Sequence, residues 1–327
     1  MKAKAFLPLA AALFAILPGC DKPAKPPGTT QGAIKPTAYT NFSGDRAMED
    51  VKAIVAIGPR PSGSEGIEKS RVYIEQKLKE AGWEMKRQDF EVDTILRGKI
   101  KMSNLRARFP VPGKNTWKRS VTTLACSHYD TKWFQTTVFV GANDAGSSTG
   151  LLLELARATA PLKDFSASLE LLFFDGEEAI TGFTAPVGFS DTRFDGLYGS
   201  RHYAKELRKV PENQRPKYGI VFDIIGGEPL EVEFPDNTSK RLSALAREAS
   251  DALNFSKHFR AAPAGAAMID DHVPLSWVGM EVLNFISLGP FREYWHTSAD
   301  TIDKVFPKSI EITGRTGLYF MERNLQQ

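Results

Sequence analysis

The sequence predicts an α/β fold: a three-layer sandwich in which helices flank a mostly parallel, mixed sheet. Three observations predict it. Short apolar runs of strand length alternate with longer stretches of helical periodicity. Residues able to do chemistry stand just past the ends of those runs, where an open α/β sheet forms its crevice. The composition is that of a water-soluble globular chain, 42% hydrophobic and 25% charged over 327 residues. That composition excludes a polytopic membrane protein, a disordered chain and a coiled coil. The 42 Lys and Arg against 39 Asp and Glu leave a formal charge of +3, with no long basic run, so nucleic acid is not an expected partner.

The elements follow in order. Ser62-Gly63-Ser64-Glu65 offers a capping-box start, Ile67, Ile74 and Leu78 share one helical face, and Gly82 stops that helix. Residues 83–107 read as two strands turning near Arg97-Gly98. Val121–Ser127 is a short apolar strand, and Val138–Ala142 offers another. Ser147 or Ser148 caps a helix reaching Ala160. Leu169–Phe174 is a central strand, Gly199–Val210 a helix, Tyr218–Ile225 a strand, Lys240–Leu253 a helix and Glu281–Ile286 a strand. Pro307–Asn324 closes the chain as a helix begun by proline. No internal repeat and no second-domain boundary is visible.

The domain is expected over residues 44–327. Ahead of it, Lys2 and Lys4 precede an apolar run to Leu17, too short to span a bilayer and built like a secretory signal over residues 1–20. Leu17-Pro18-Gly19-Cys20 resembles a bacterial lipobox, which makes Cys20 the candidate lipidation site although Pro18 is unusual there. Residues 21–43, rich in Pro and Lys near their start, read as a flexible tether. The expectation is an exported, lipid-anchored monomer of the bacterial cell envelope, touching membrane through that lipid alone.

His128, Asp130, Asp144, Asp175, Glu177, Glu178, Asp223 and His296 all follow or end expected strands. Two His and several carboxylates converging on one crevice form a ligand set suited to Zn²⁺. Each residue taken singly has a duller explanation: a hydrogen-bonded strand-end His, a turn or capping Asp, an acidic first helical turn. Their joint placement argues for more. Adjacent Glu177 and Glu178 would repel if buried and unpaired. A cation on one relieves that cost and leaves the other as a general acid/base.

Several segments then carry a specific resemblance. Gly58-Pro59-Arg60-Pro61-Ser62-Gly63-Ser64, His128-Tyr129-Asp130, Gly141-Ala142-Asn143-Asp144, Phe173-Phe174-Asp175-Gly176-Glu177-Glu178-Ala179, Leu197-Tyr198-Gly199-Ser200-Arg201-His202 and Trp295-His296-Thr297 resemble the zinc exopeptidase superfamily. Within it, Asp270-Asp271-His272-Val273-Pro274, and Trp295 ahead of His296, resemble the glutaminyl cyclases more than the two-zinc aminopeptidases. The resemblance implies a zinc exopeptidase-like fold holding one zinc per chain on Asp144, Glu178 and His296. It implies Glu177 as the catalytic acid/base, Asp223 and Asp270 as acids hydrogen-bonded to it and raising its proton affinity, and Trp295 as an aromatic pocket wall. A family pocket Trp falls on Phe183, in an altered 180–192 segment. The vertebrate-type disulfide of the family cannot form, since Ser127 stands where that Cys is expected and Cys126 is displaced by one.

The implied activity is zinc-dependent acyl transfer: peptides or proteins with N-terminal glutamine are cyclised to pyroglutamate with loss of ammonia. The alternative is an aminopeptidase with two zinc ions, the second held by His128 and Asp223 with Asp144 bridging and Glu177 activating water. A third class, an inactive envelope binding module, is disfavoured by the intact Glu177. His202, His258 and His272 read as structural, and Trp83, Trp117, Trp133 and Trp277 as core or rim packing.

Overall fold

The computed structural model describes residues 37–94, 96–182 and 194–326. Eight strands form one mixed sheet: β1 Glu84–Thr94, β2 Gly98–Arg108, β3 Thr123–His128, β4 Leu169–Phe174, β5 Tyr218–Asp223, β6 Val232–Phe234, β7 Phe259–Ala261 and β8 Glu281–Ile286. Their spatial order is β1-β2-β4-β3-β5-β8-β6-β7. The four central strands, β4, β3, β5 and β8, run parallel, while β2 joins β4 antiparallel and β6 joins β8 antiparallel.

Side chains alternate along the central strands with period two, and each set meets its own helical layer. Ala125, Leu171, Phe173, Ile220, Phe222, Leu283 and Phe285 face the larger core. That core is closed by α1 Ala38–Asn41, α2 Gly44–Ala56, α3 Glu65–Glu80, α4 Ser148–Thr159, α7 Lys240–Ala252 and α9 Pro307–Asn324, with α5 Lys163–Ser168 between α4 and β4. Leu124, Cys126, Leu172, Phe174, Val221 and Val282 face the opposite way, onto α6 Tyr198–Leu207 and α8 His272–Ser276. This is the expected three-layer sandwich. The connection from β3 to β4 runs over one face and that from β4 to β5 over the other, so the crevice opens at the carboxyl ends of β3, β4 and β5.

Most expected elements recur within a residue or two, and Ser64 does cap α3, accepting from Ile67 N at 3.1 Å. Two expectations need correction. Residues 37–43 do not behave as tether: Ala38 and Phe42 are buried, and the amides of Thr37 and Ala38 both donate to Glu322 Oε2 at 2.7 Å. Gly314 of α9 makes room for them, because a Cβ there would stand 2.2 Å from the Phe42 ring. Val138–Ala142 is not a strand. Val138 is exposed, the carbonyls of Val140 and Gly141 are taken by Arg60, and Gly141 turns the chain with a φ of 52°. The three-residue β6 and β7 and the helix α2 were not legible in the pattern. Residues 1–36, with Cys20, lie outside the described residues, as does Phe183. Cys126 is a buried free thiol.

Candidate active site and metal centre

The site gathers at the carboxyl ends of the parallel strands and on the turns beside them. His128 ends β3 and Asp223 ends β5. After β4 the chain turns at Gly176, whose φ of 72° and the Met102 sulfur 2.7 Å from any added Cβ leave room for glycine only. Glu177 and Glu178 follow at once. Their amides donate to the two oxygens of buried Asp130, at 3.1 and 3.3 Å, which pins the turn against the end of β3.

Asp144 sits on the irregular turn between β3 and α4. Asp300, fully buried, accepts from the amides of Asn143 at 2.8 Å and Asp144 at 3.1 Å. Arg60, also fully buried, donates from Nε to Tyr129 O at 3.0 Å and from Nη2 to Gly141 O at 2.8 Å. One guanidinium thus ties the β3 exit to the start of the Asp144 turn. Asp175, grouped above with the strand-end acids, belongs to a different network. It pairs with Arg71, accepts from Ser62 Oγ at 2.6 Å and from Ser103 N at 2.8 Å, and takes no part in the cavity.

The side chains converge on two adjoining groups that share Asp144. In the first, His128 Nε2 lies 3.2 Å from both Asp144 Oδ1 and Asp223 Oδ1. In the second, His296 Nε2 lies 3.4 Å from Asp144 Oδ2 and 3.1 Å from Glu178 Oε2. The ligand atoms of each group lie within 4.8 Å of one another, close enough for one ion. Both oxygens of Glu178 are buried and lack a hydrogen-bond partner among the described residues. A buried carboxylate without donors carries a large desolvation cost. The donor set of one imidazole and two carboxylates matches a borderline divalent cation, so the residues fit a metal, with room for a further ligand.

A cavity of about 290 Å³ opens onto this group. Its polar wall holds Asp144, Glu177, Glu178, Asp223, Asp270 and His296, and its apolar wall includes Ile224, Met268, Leu288 and Trp295. Trp295 is 41% exposed, with its ring 4.3 Å from that of His296. Phe139 and Phe134 meet the His296 ring edge-on, at 5.8 and 6.4 Å.

Proton affinities follow from burial and neighbours. Burial drives the Glu177 carboxyl well above the usual range; His128 opposes this, and the charges of Glu178, Asp270 and Asp271 add to it. Burial and then Asp223 push Asp270 up to about 7. Burial alone would lower His128, but Asp130, Asp144 and Asp223 hold it well above the ordinary imidazole value. The same opposition, with Glu178 and Asp144 prevailing over burial, raises His296 to about 9.

The expected support of Glu177 therefore takes another form. Asp223 bonds to His128, and Asp270 accepts from Asn284 Nδ2 at 2.6 Å and from the Asp271 amide. No hydrogen bond joins either carboxylate to Glu177; burial first, and then the charges of Glu178, Asp270 and Asp271, raise the proton affinity of Glu177. Asp130, Asp300 and Arg60 carry the scaffolding; Asp130 and Arg60 stood within motifs of the sequence, without a role, and Asp300 did not stand out. His202 stacks on Phe90 with ring centroids 4.3 Å apart, and His258 Nδ1 lies 3.0 Å from Leu230 O. His272 is buried beside Asn284, and burial lowers it to about 3. All three are structural, as expected.

Comparison with known proteins places this geometry among relatives. Residues 104–321 match the model of peptidase family M28. The chain is 32% identical over 289 residues to a glutaminyl-peptide cyclotransferase of Bos taurus, covering 77% of this chain and 74% of that one. A crystal structure of an Acidobacteriales bacterium glutaminyl cyclase superposes with a TM-score of 0.73 at 27% identity, covering 91% of this chain and 97% of its own. A leucine aminopeptidase precursor from Bacteroides thetaiotaomicron shares the fold, with a TM-score of 0.73 at 20% identity over 89% of this chain and 99% of its own.

Proposed function

Because this chain belongs to peptidase family M28 and has glutaminyl cyclases among its relatives, we propose that it is a zinc-dependent glutaminyl-peptide cyclotransferase. One observation supports this reading above others. Glu178 presents two buried oxygens that accept no hydrogen bond among the described residues, with His296 Nε2 at 3.1 Å and Lys132 Nζ at 3.8 Å from Oε2, while adjacent Glu177 lines the cavity with a strongly raised proton affinity. Asp144, Glu178 and His296 would hold the ion. Zinc in that position supplies Lewis-acid polarisation of the substrate's γ-carboxamide carbonyl.

The rest is the work of the chain's own residues. The cavity holds an N-terminal glutamine folded so that its α-amine meets its own side-chain amide carbon, and the substrate itself supplies the proximity. The amine nitrogen forms a bond to that carbon, the bond from carbon to the amide nitrogen breaks, and ammonia leaves. Glu177 accepts the proton released by the amine and returns it to the departing nitrogen. Asp270 and Asp271 keep that proton on Glu177 between the two transfers. Trp295 shields the reacting atoms from water, which favours ring closure over hydrolysis.

The two-zinc aminopeptidase reading draws on the His128, Asp144 and Asp223 group, which also has the dimensions of an ion site. In both groups a histidine Nε2 stands between two carboxylates, so what favours one zinc per chain is the pair of buried Glu178 oxygens that accept no hydrogen bond among the described residues. The leader, Lys2 to Cys20, would carry the enzyme to the bacterial envelope and anchor it through a lipid on Cys20.

The test is incubation of the zinc-loaded chain with glutaminyl peptides, followed by mass spectrometry and an ammonia assay. Pyroglutamyl product with stoichiometric ammonia is expected. Release of free N-terminal amino acids from the same peptides, without ammonia, would establish the aminopeptidase instead.

A further inference from the structure

At the opposite end of the sheet lies a larger cavity, of about 510 Å³, that the proposed reaction does not use. Arg106 and Arg108 enter it from β2, Trp117, Lys118 and Arg119 from the following loop, and Tyr203 from α6. The register places it beside the start of β4, since Arg108 pairs with Glu170. Glu177 and Glu178 follow the far end of that six-residue strand, about 20 Å away by strand rise.

The cavity's charge is unbalanced. Four cations line it: Arg106, Arg108, Lys118 and Arg119. Beneath them, Glu170 is fully buried and already spent, taking Arg106 Nε at 2.6 Å and Arg108 Nε at 2.5 Å. Glu206, the one acid in the lining, has both oxygens 2.7 Å from Lys209 Nζ. Arg119 is held below the usual guanidinium value, by burial first and then by the charge of Arg108. Its Nη1 and Nη2 donate to the carbonyls of Ala167 and Phe109, which leaves its charge without an acid, and its Nε is buried without a hydrogen-bond partner among the described residues. Trp117 adds no negative charge, and its ring is already flanked by Lys86 at 4.8 Å, Arg108 at 5.5 Å and Arg106 at 5.7 Å.

Converging guanidinium groups with spare positive charge, on a rigid sheet, suit a tetrahedral oxyanion. We infer that this cavity is a second ligand site, for an oxyanion of phosphate type, separate from the metal-bearing cavity. The bound anion neutralises the excess charge around Arg119 and Lys118.

The test is titration of the zinc-loaded full chain with inorganic phosphate, against chloride at matched ionic strength, read by calorimetry and by thermal unfolding. Saturable binding at one site is expected, with a rise in unfolding temperature. Lys118→Glu, an exposed position, should weaken binding at least tenfold, and Arg119→Gln should do the same if it folds. Glu178→Gln, at the other cavity, should leave phosphate affinity within twofold. Unsaturable binding, equal binding by Lys118→Glu, or loss of binding in Glu178→Gln would overturn the inference. None of these readouts uses turnover, so they stand or fall apart from the cyclase reading.

Discussion

The two groups that share Asp144 contain the same kinds of atoms and differ in what already satisfies them. Around His128, an imidazole nitrogen sits 3.2 Å from two carboxylates, and burial is compensated by a hydrogen-bonded ion pair. Around Glu178, neither buried oxygen accepts a hydrogen bond among the described residues, and Oε2 is approached by His296 Nε2 at 3.1 Å and Lys132 Nζ at 3.8 Å. The difference teaches that proximity of acids and imidazoles does not by itself define a metal site. Buried carboxylate oxygens that accept no hydrogen bond mark the half with the stronger call for a cation.

The largest effects should break the comparison directly. His296→Ala removes a ligand from the orphaned half, and zinc content measured by mass spectrometry should fall from near one per chain to near none, with loss of cyclisation. His128→Asn alters the satisfied half and should keep the zinc. Its cost should appear in chemical unfolding as about 1–3 kcal/mol, because Asp144 and Asp223 lose a buried donor. Equal loss of metal in both variants would show that the two halves do not differ. A smaller effect is expected from Asp300→Asn, which weakens the hold on the amides of Asn143 and Asp144 without touching the ion. Zinc affinity in competition with a chelator should drop about 10–100-fold, the usual price of disturbing the support of a metal ligand. An unchanged affinity would mean that Arg60 alone holds the Asp144 turn.

The sequence shows this site unevenly, for physical reasons. His128 and Glu178 are legible because strand ends are marked by apolar runs and a sheet brings those ends together, whereas Asp144 and His296, on turns away from any strand end, are legible through the motifs that contain them. Asp300, and the role of Arg60 within its motif, are illegible because their work is done on backbone groups distant in sequence, at positions with no periodic signal. Asp270 raises the proton affinity of Glu177 as expected, but the hydrogen bonds of Asp223 and Asp270 were not legible, for a related reason. Residue type placed them near Glu177, but which neighbour each one bonds depends on angles that only packing determines. In the fold, the sheet's strands of six residues or more and most of the longer helices were readable, α2 being the long exception, whereas β6 and β7, three residues each, are formed by pairing at the sheet edge and have too few side chains to set a pattern. Residues 37–43 looked like linker because their anchor, Glu322, lies at the far end of the chain.

The central claim is the division of labour between two adjacent glutamates. It is tested most directly by measuring zinc content and cyclisation rate side by side in Glu177→Gln and Glu178→Gln. The account predicts that the first keeps its zinc while turnover falls by about 10²–10⁴-fold, and that the second loses both. Zinc lost from Glu177→Gln and retained by Glu178→Gln would contradict it.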